Sequence, residues 1–130
     1  METAHALKVF LVDDSAPIRE RMAGLIGGMQ GIDIVGQAGT AADATMGILD
    51  SGPDAVLLDL QLAGSTGFDV LKAVHPVKPD IVFIVLTNHS NLQYRRLCIA
   101  SGAQHFLDKS NEFNRVTAIL AELRASHASH

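Results

Sequence analysis

Two uninterrupted apolar runs constrain this chain more than any other feature: Ala55-Val56-Leu57-Leu58, ending in Asp59, and Ile81-Val82-Phe83-Ile84-Val85-Leu86, ending in Thr87. A strand with one wet face alternates apolar and polar residues. A short continuous run therefore reads as a strand buried on both faces, the environment of a parallel sheet with helices on each side. Three more segments join them: Leu7 to Val12, the short run around Ile32, Ile34 and Val35, and Gln104 to Leu107. Each is followed by a helical pattern rather than by a hairpin signal. Five strand–helix units in this order require right-handed crossovers and predict an α/β fold with a five-stranded parallel sheet.

The helix boundaries are legible from local chemistry. Ser15 is placed to cap a first helix with Pro17 in its first turn, and Gly27-Gly28 with Gly31 mark its end. Thr40 caps an alanine-rich second helix that stops near Ser51-Gly52-Pro53. A third is expected over Thr66 to Val74 and a fourth over Asn91 to Ala100, closed by Ser101-Gly102. In the last, Phe113, Val116, Ile119, Leu120 and Leu123 share one face. At 130 residues the chain fits one domain, expected over 1–125, with 126–130 a flexible tail.

Composition narrows the function. The net charge is −4 and no Lys/Arg cluster occurs, so the footprint for holding nucleic-acid phosphates is missing. The single Cys98 rules out an internal disulfide framework and reads as a buried structural thiol, which suggests a reducing, cytoplasmic setting. The longest apolar stretch is too short to span a bilayer, so no membrane anchoring is expected. Among the histidines only the tail pair, His127 and His130, has compact ligand spacing, and none is assigned a catalytic role.

In open parallel sheets, ligands bind beyond the carboxyl ends of the strands. Asp13 and Asp14 close the first strand, Asp59 the third and Thr87 the fourth, and Lys109 follows the fifth. Carboxylates brought this close repel one another and are tolerable only if a cation shares the site. An oxygen-only donor set favours magnesium (or manganese), whereas zinc would call for His or Cys. A carboxylate beside such a metal can act as a nucleophile toward a phosphoryl donor, and Asp59 is the best placed. Lys109 can pair with a phosphoryl oxygen and Thr87 can donate a hydroxyl hydrogen bond to another.

Taken in order, Val12-Asp13-Asp14-Ser15, Leu57-Leu58-Asp59-Leu60, Val85-Leu86-Thr87 and Ser101-Gly102-Ala103-Gln104-His105-Phe106-Leu107-Asp108-Lys109 resemble the motifs of response-regulator receiver domains, and the likeness covers nearly the whole chain. The resemblance implies a flavodoxin-like fold of strand order 2-1-3-4-5. It makes Asp59 the phosphoacceptor, Lys109 the phosphate-pairing lysine, Thr87 the switch hydroxyl and Phe106 the switch aromatic. The metal ligands it implies are Asp13, Asp14, Asp59 and the Gln61 backbone carbonyl, around Mg2+ (or Mn2+). Phosphorylation would change the face built from the fourth helix, fifth strand and fifth helix, roughly 91–124. The implied partners are a sensor histidine kinase or histidine phosphotransfer protein and an output partner or domain. A homodimer is left open, and no enzyme activity on a separate substrate is expected.

The sequence departs from the family pattern at several points. Ala63 and Ser110 stand where prolines are usual, and Asn88 where a small residue is usual. Whether the Lys109–Ser110 bond is cis is open, since a non-proline cis bond costs roughly 2.5–4 kcal/mol. Gln61 and His89, two residues beyond Asp59 and Thr87, are expected to tune phosphate lifetime. Ser110 and Ala63 keep alive an adaptor that works without phosphorylation. A small α/β enzyme is disfavoured: an aspartate-nucleophile phosphatase would want Asp where Gln61 sits, and Asp13 and Asp14 would repel a flavin phosphate. The chain is either a stand-alone regulator or the receiver portion of a longer protein.

Overall fold

The computed structural model describes residues 6–88 and 91–128. The main sheet is built from β1 (Leu7–Val12), β2 (Ile32–Ala38), β3 (Ala55–Asp59), β6 (Val82–Thr87) and β7 (His105–Asp108), all parallel, in the order β2-β1-β3-β6-β7. Two short strands, β4 (Gln61–Leu62) and β5 (Ser65–Thr66), form a separate antiparallel ladder, so the fourth and fifth strands of the main sheet carry the labels β6 and β7. The expected 2-1-3-4-5 order is the one observed. The small hairpin was not expected. It turns at Ala63-Gly64, where Gly64 supplies a positive φ of 67° that a side chain would resist.

The helices are α1 (Ala16–Gly27), α2 (Ala41–Ser51), α3 (Gly67–Val74), α4 (Leu92–Ala100) and α5 (Arg115–Ala128). Ser15 caps α1, its Oγ accepting from the Ile18 N–H, and Thr40 caps α2, its Oγ1 accepting from the Asp43 N–H. Thr66 and Asn91, read as first helical residues, are the caps of α3 and α4 instead, a shift of one residue. The helical backbone of α5 continues to Ala128, into the segment expected to be a tail.

Alternation along the central strands divides the core into two. Val56 and Leu58 of β3 join Phe10, Val12, Phe83 and Val85 in a cluster completed by Ala44 and Ile48 of α2, Val70, Leu71 and Val74 of α3 and Cys98 of α4. Ala55 and Leu57 face the other way, with Val9, Leu11, Ile84, Leu86 and Leu107, against Met22 and Ile26 of α1 and Val116, Ile119 and Leu120 of α5. The runs that read as buried on both faces are so because each face meets its own layer of helices. One contact fixes the α2 layer at short range: a Cβ at Gly47 would stand 2.7 Å from Cζ of the Phe10 ring. No helix among the described residues is long and apolar enough to cross a membrane.

Candidate functional site at the strand ends

The carboxyl ends of β1, β3, β6 and β7 meet on one rim. Asp13 follows β1, Asp59 closes β3 and Thr87 closes β6; all three side chains are buried, while Asp14 is exposed beside them. Each of Asp13, Asp14 and Asp59 brings one carboxylate oxygen to a group lying within 4.8 Å. The oxygen-only donors and the access to solvent through Asp14 fit a hard divalent cation.

Lys109 closes this group from the β7 side. Its Nζ donates to Asp13 Oδ2 at 2.6 Å and to Asp59 Oδ2 at 3.0 Å, with the lysine side chain only 10% exposed. The remaining oxygens are used as well. Asp13 Oδ1 accepts from the Ser15 N–H at 2.9 Å, which ties this carboxylate to the N-cap of α1. Asp59 Oδ1 accepts from the Gln61 N–H at 3.1 Å. Burial pushes the Asp59 carboxyl above its ordinary value, and Asp13 adds to the shift, against the opposing pull of Lys109 and the Gln61 N–H. Burial draws Lys109 downward, but hydrogen bonds and charge from two carboxylates outweigh it and hold the ammonium above its ordinary value. The lysine therefore stays charged at the centre of the rim.

The sequence-predicted residues are distributed as follows. Asp13, Asp14, Asp59 and Lys109 come together. Thr87 joins them through the backbone, its carbonyl accepting from the Lys109 N–H at 2.9 Å. Gln61 reaches the site through its N–H. Phe106 stands apart: its ring is buried in the cluster under α2, α3 and α4. His89 lies outside the described residues. No peptide bond among the described residues is cis, which answers the open question at Lys109–Ser110 in favour of trans. Asn88 and Ser110 line, with Ile18, Arg21, Lys109 and Phe113, a cavity of about 350 Å3 on the α1 side of the lysine.

Several supporting residues escaped the sequence reading. Arg19 Nη1 donates to the Asp13 carbonyl, which pins the end of β1 from α1. Gly67 lets α3 begin directly on the end of β3, because a Cβ there would lie 2.5 Å from the Asp59 carbonyl oxygen. Asp108 and Glu112 organise the loop after β7: Asp108 Oδ1 accepts from the N–H groups of Ser110 and Asn111, and Glu112 Oε1 accepts from the Asp108 N–H. The Asp108 N–H and the Arg115 guanidinium hold the Glu112 carboxyl below its ordinary value. The i, i+4 spacing of Asp108 and Glu112 is the one signal that could have suggested the pair.

Comparison with known proteins identifies the architecture. The family model of the response regulator receiver domain matches residues 9–121. The chain belongs to the response-regulator receiver family. This receiver is 30% identical over 103 residues to the DNA-binding transcriptional activator DevR/DosR of Mycobacterium tuberculosis, covering 79% of this chain and 48% of that protein. Among solved structures it resembles a two-component response regulator of the LuxR family from Aurantimonas sp. SI85-9A1, with a TM-score of 0.79, 25% identity, and coverage of 90% of this chain and 86% of that one. A CheY-like receiver domain protein from Methanospirillum hungatei JF-1 shares the fold at a TM-score of 0.84 and 19% identity, over 94% and 96% of the two chains. The receiver spans less than half the length of the first curated relatives it matches, 32% and 48%.

Proposed function

We propose that this receiver is a phosphorylation switch in which Asp59 accepts a phosphoryl group from a sensor histidine kinase or a histidine phosphotransfer protein. The observation that carries the reading is the double contact of Lys109 Nζ with Asp13 Oδ2 and Asp59 Oδ2, which holds a cation against the nucleophile. In the transfer an Asp59 oxygen forms a bond to phosphorus. The bond from phosphorus to the donor atom breaks, and the donor keeps the electron pair. Lys109 exchanges its contact with Asp59 Oδ2 for a phosphoryl oxygen, and the Thr87 hydroxyl donates to another. Asp13, Asp14, Asp59 and the Gln61 carbonyl would hold Mg2+ (or Mn2+), which supplies neutralisation of charge on the phosphoryl oxygens.

Signalling then runs through Thr87 and Phe106 to α4, β7 and α5, where an output partner or domain reads the change. Gln61 and His89 set the lifetime of the aspartyl phosphate. The chain acts in the cytoplasm as a phosphoacceptor rather than as an enzyme on a separate substrate.

Intact-mass measurement after incubation with acetyl phosphate tests this. The expected result is one phosphoryl adduct that requires magnesium and is lost in Asp59→Ala. Absence of an adduct despite measurable magnesium binding would replace the switch with a phosphorylation-independent adaptor.

A further inference from the structure

Lys109 leaves the sheet on a loop, yet its ammonium reaches two carboxylates at 2.6 and 3.0 Å. A long side chain on a free loop would not keep both contacts, because lysine carries rotamer entropy that must be lost to hold one geometry. The backbone around it shows what holds it. Five consecutive N–H groups, from residue 108 to residue 112, each have an acceptor. The Lys109 N–H donates to the Thr87 carbonyl at 2.9 Å, the last rung between β6 and β7. Ser110 and Asn111 donate to Asp108 Oδ1 at 2.8 and 3.2 Å. The Glu112 N–H donates to the Asp108 carbonyl at 2.8 Å, and the Asp108 N–H returns to Glu112 Oε1 at 3.0 Å. Asp108 and Glu112 thus close a hydrogen-bonded ring through the loop that carries Lys109.

The ring is anchored at its far side. Glu112 Oε2 accepts from Arg115 Nη1 at 2.7 Å, at the first residue of α5. Phe113, next in the chain, packs on the α1/α5 core and lies under the Arg21 guanidinium, 5.3 Å from its ring centroid. Ser110 matters here through its backbone: a proline at that position would remove one of the two N–H groups that Asp108 Oδ1 accepts.

We infer that Asp108 and Glu112 are positioning residues for Lys109, a hydrogen-bonded brace that delivers its ammonium to Asp13 and Asp59. The inference rests on the proposed reading of Lys109 as the phosphate-pairing lysine. Neither brace residue touches the phosphoryl group. Each acts by fixing the backbone from which the lysine reaches.

The experiment compares Asp108→Ala and Glu112→Ala with Asp108→Asn and Glu112→Gln, whose amide oxygens can still accept. The first readout needs no activity: 13C relaxation of the lysine Cε groups in the magnesium-free protein. The chain has only four lysines, so the Lys109 signal is assigned by its loss in Lys109→Ala. The second is the rate of adduct formation from acetyl phosphate. The alanine variants should free the Lys109 Cε on the sub-nanosecond scale and slow phosphorylation by about tenfold to a hundredfold, while the amide variants lose less of both. A residue that only caps α5 would leave Lys109 as rigid as in the natural protein. Unchanged Lys109 relaxation in both alanine variants overturns the brace, whatever happens to the rate. An unchanged rate with a mobile Lys109 overturns its role in positioning for transfer. If the natural protein forms no adduct, the switch reading fails, while Lys109 relaxation still decides whether the brace exists.

Discussion

Strand β7 separates two helices held in very different ways. Phe106 faces the cluster under α4 and Leu107 the cluster under α5. On the α5 side, Val116, Ile119 and Leu120 are buried, Leu123 is packed against them, and Arg124 Nε donates to the Gly31 carbonyl at 3.0 Å. On the other side, α4 buries Cys98 alone; Leu92 is 61% exposed, and Tyr94, Leu97 and Ile99 are also exposed. Burying a large aliphatic side chain contributes about 1.5–3 kcal/mol, so α5 is fixed by several such contributions, whereas the buried side chain of α4 is the smaller Cys98. The lysine of the site is thus tied through its loop to the firmly held helix, and the loosely held helix lies on the side of Phe106. A signal that begins at Asp59 would meet little resistance there.

The largest expected effect breaks the comparison if it fails. Leu120→Ala removes a fully buried side chain from under α5 and should cost about 2–5 kcal/mol in urea unfolding. Leu97→Ala, on the exposed face of α4, should change stability by no more than about 0.5 kcal/mol. Equal costs would mean that α4 contributes to the fold in a way its exposure hides.

A smaller effect sharpens the same contrast. Burial pushes the Cys98 thiol up to about 11, so at neutral pH it is protonated as well as covered, and a thiol reagent reaches it only when α4 opens. Gln93→Gly, at an exposed position of α4, should weaken the helix by about 1 kcal/mol and speed labelling roughly fivefold. Ala121→Gly, at an exposed position of α5, should leave labelling unchanged. If both variants accelerate labelling equally, Cys98 is exposed by global unfolding and α4 has no independent motion.

How much of this was legible in the sequence follows from the range of each interaction. Asp13, Asp59 and Thr87 were readable because each ends an apolar run, and strand direction alone carries such residues to one rim. The cap at Ser15 was readable because its partner lies three residues away. The β4–β5 hairpin was not, since strands of two residues have no periodicity to detect. On α4 the reading of Cys98 as a buried thiol agrees with the structure, whereas the exposure of Leu92, Leu97 and Ile99 follows from how the helix lies on the sheet, which the sequence did not specify. Arg19 was missed because its donor role depends on where the main-chain carbonyl of Asp13 points, which no side-chain pattern encodes.

The smallest expected effect concerns how α5 grips the edge strand. His105, on β7, is held below its ordinary value by burial and by Arg115, with Glu122 pulling the other way, and both charged residues belong to α5. The unfolded chain therefore takes up a proton on His105 at higher pH than the folded one. Its contribution to stability is fully present above about pH 6.5 and is lost as the pH falls through the lower folded value. Between pH 7.5 and 5.5 the urea midpoint should fall by a small amount that disappears in His105→Gln. Glu122→Gln removes the opposing charge and should steepen the fall, because the folded value then drops further. A pH response that ignores both substitutions would place its origin elsewhere in the chain, and would mean that α5 holds β7 by packing alone.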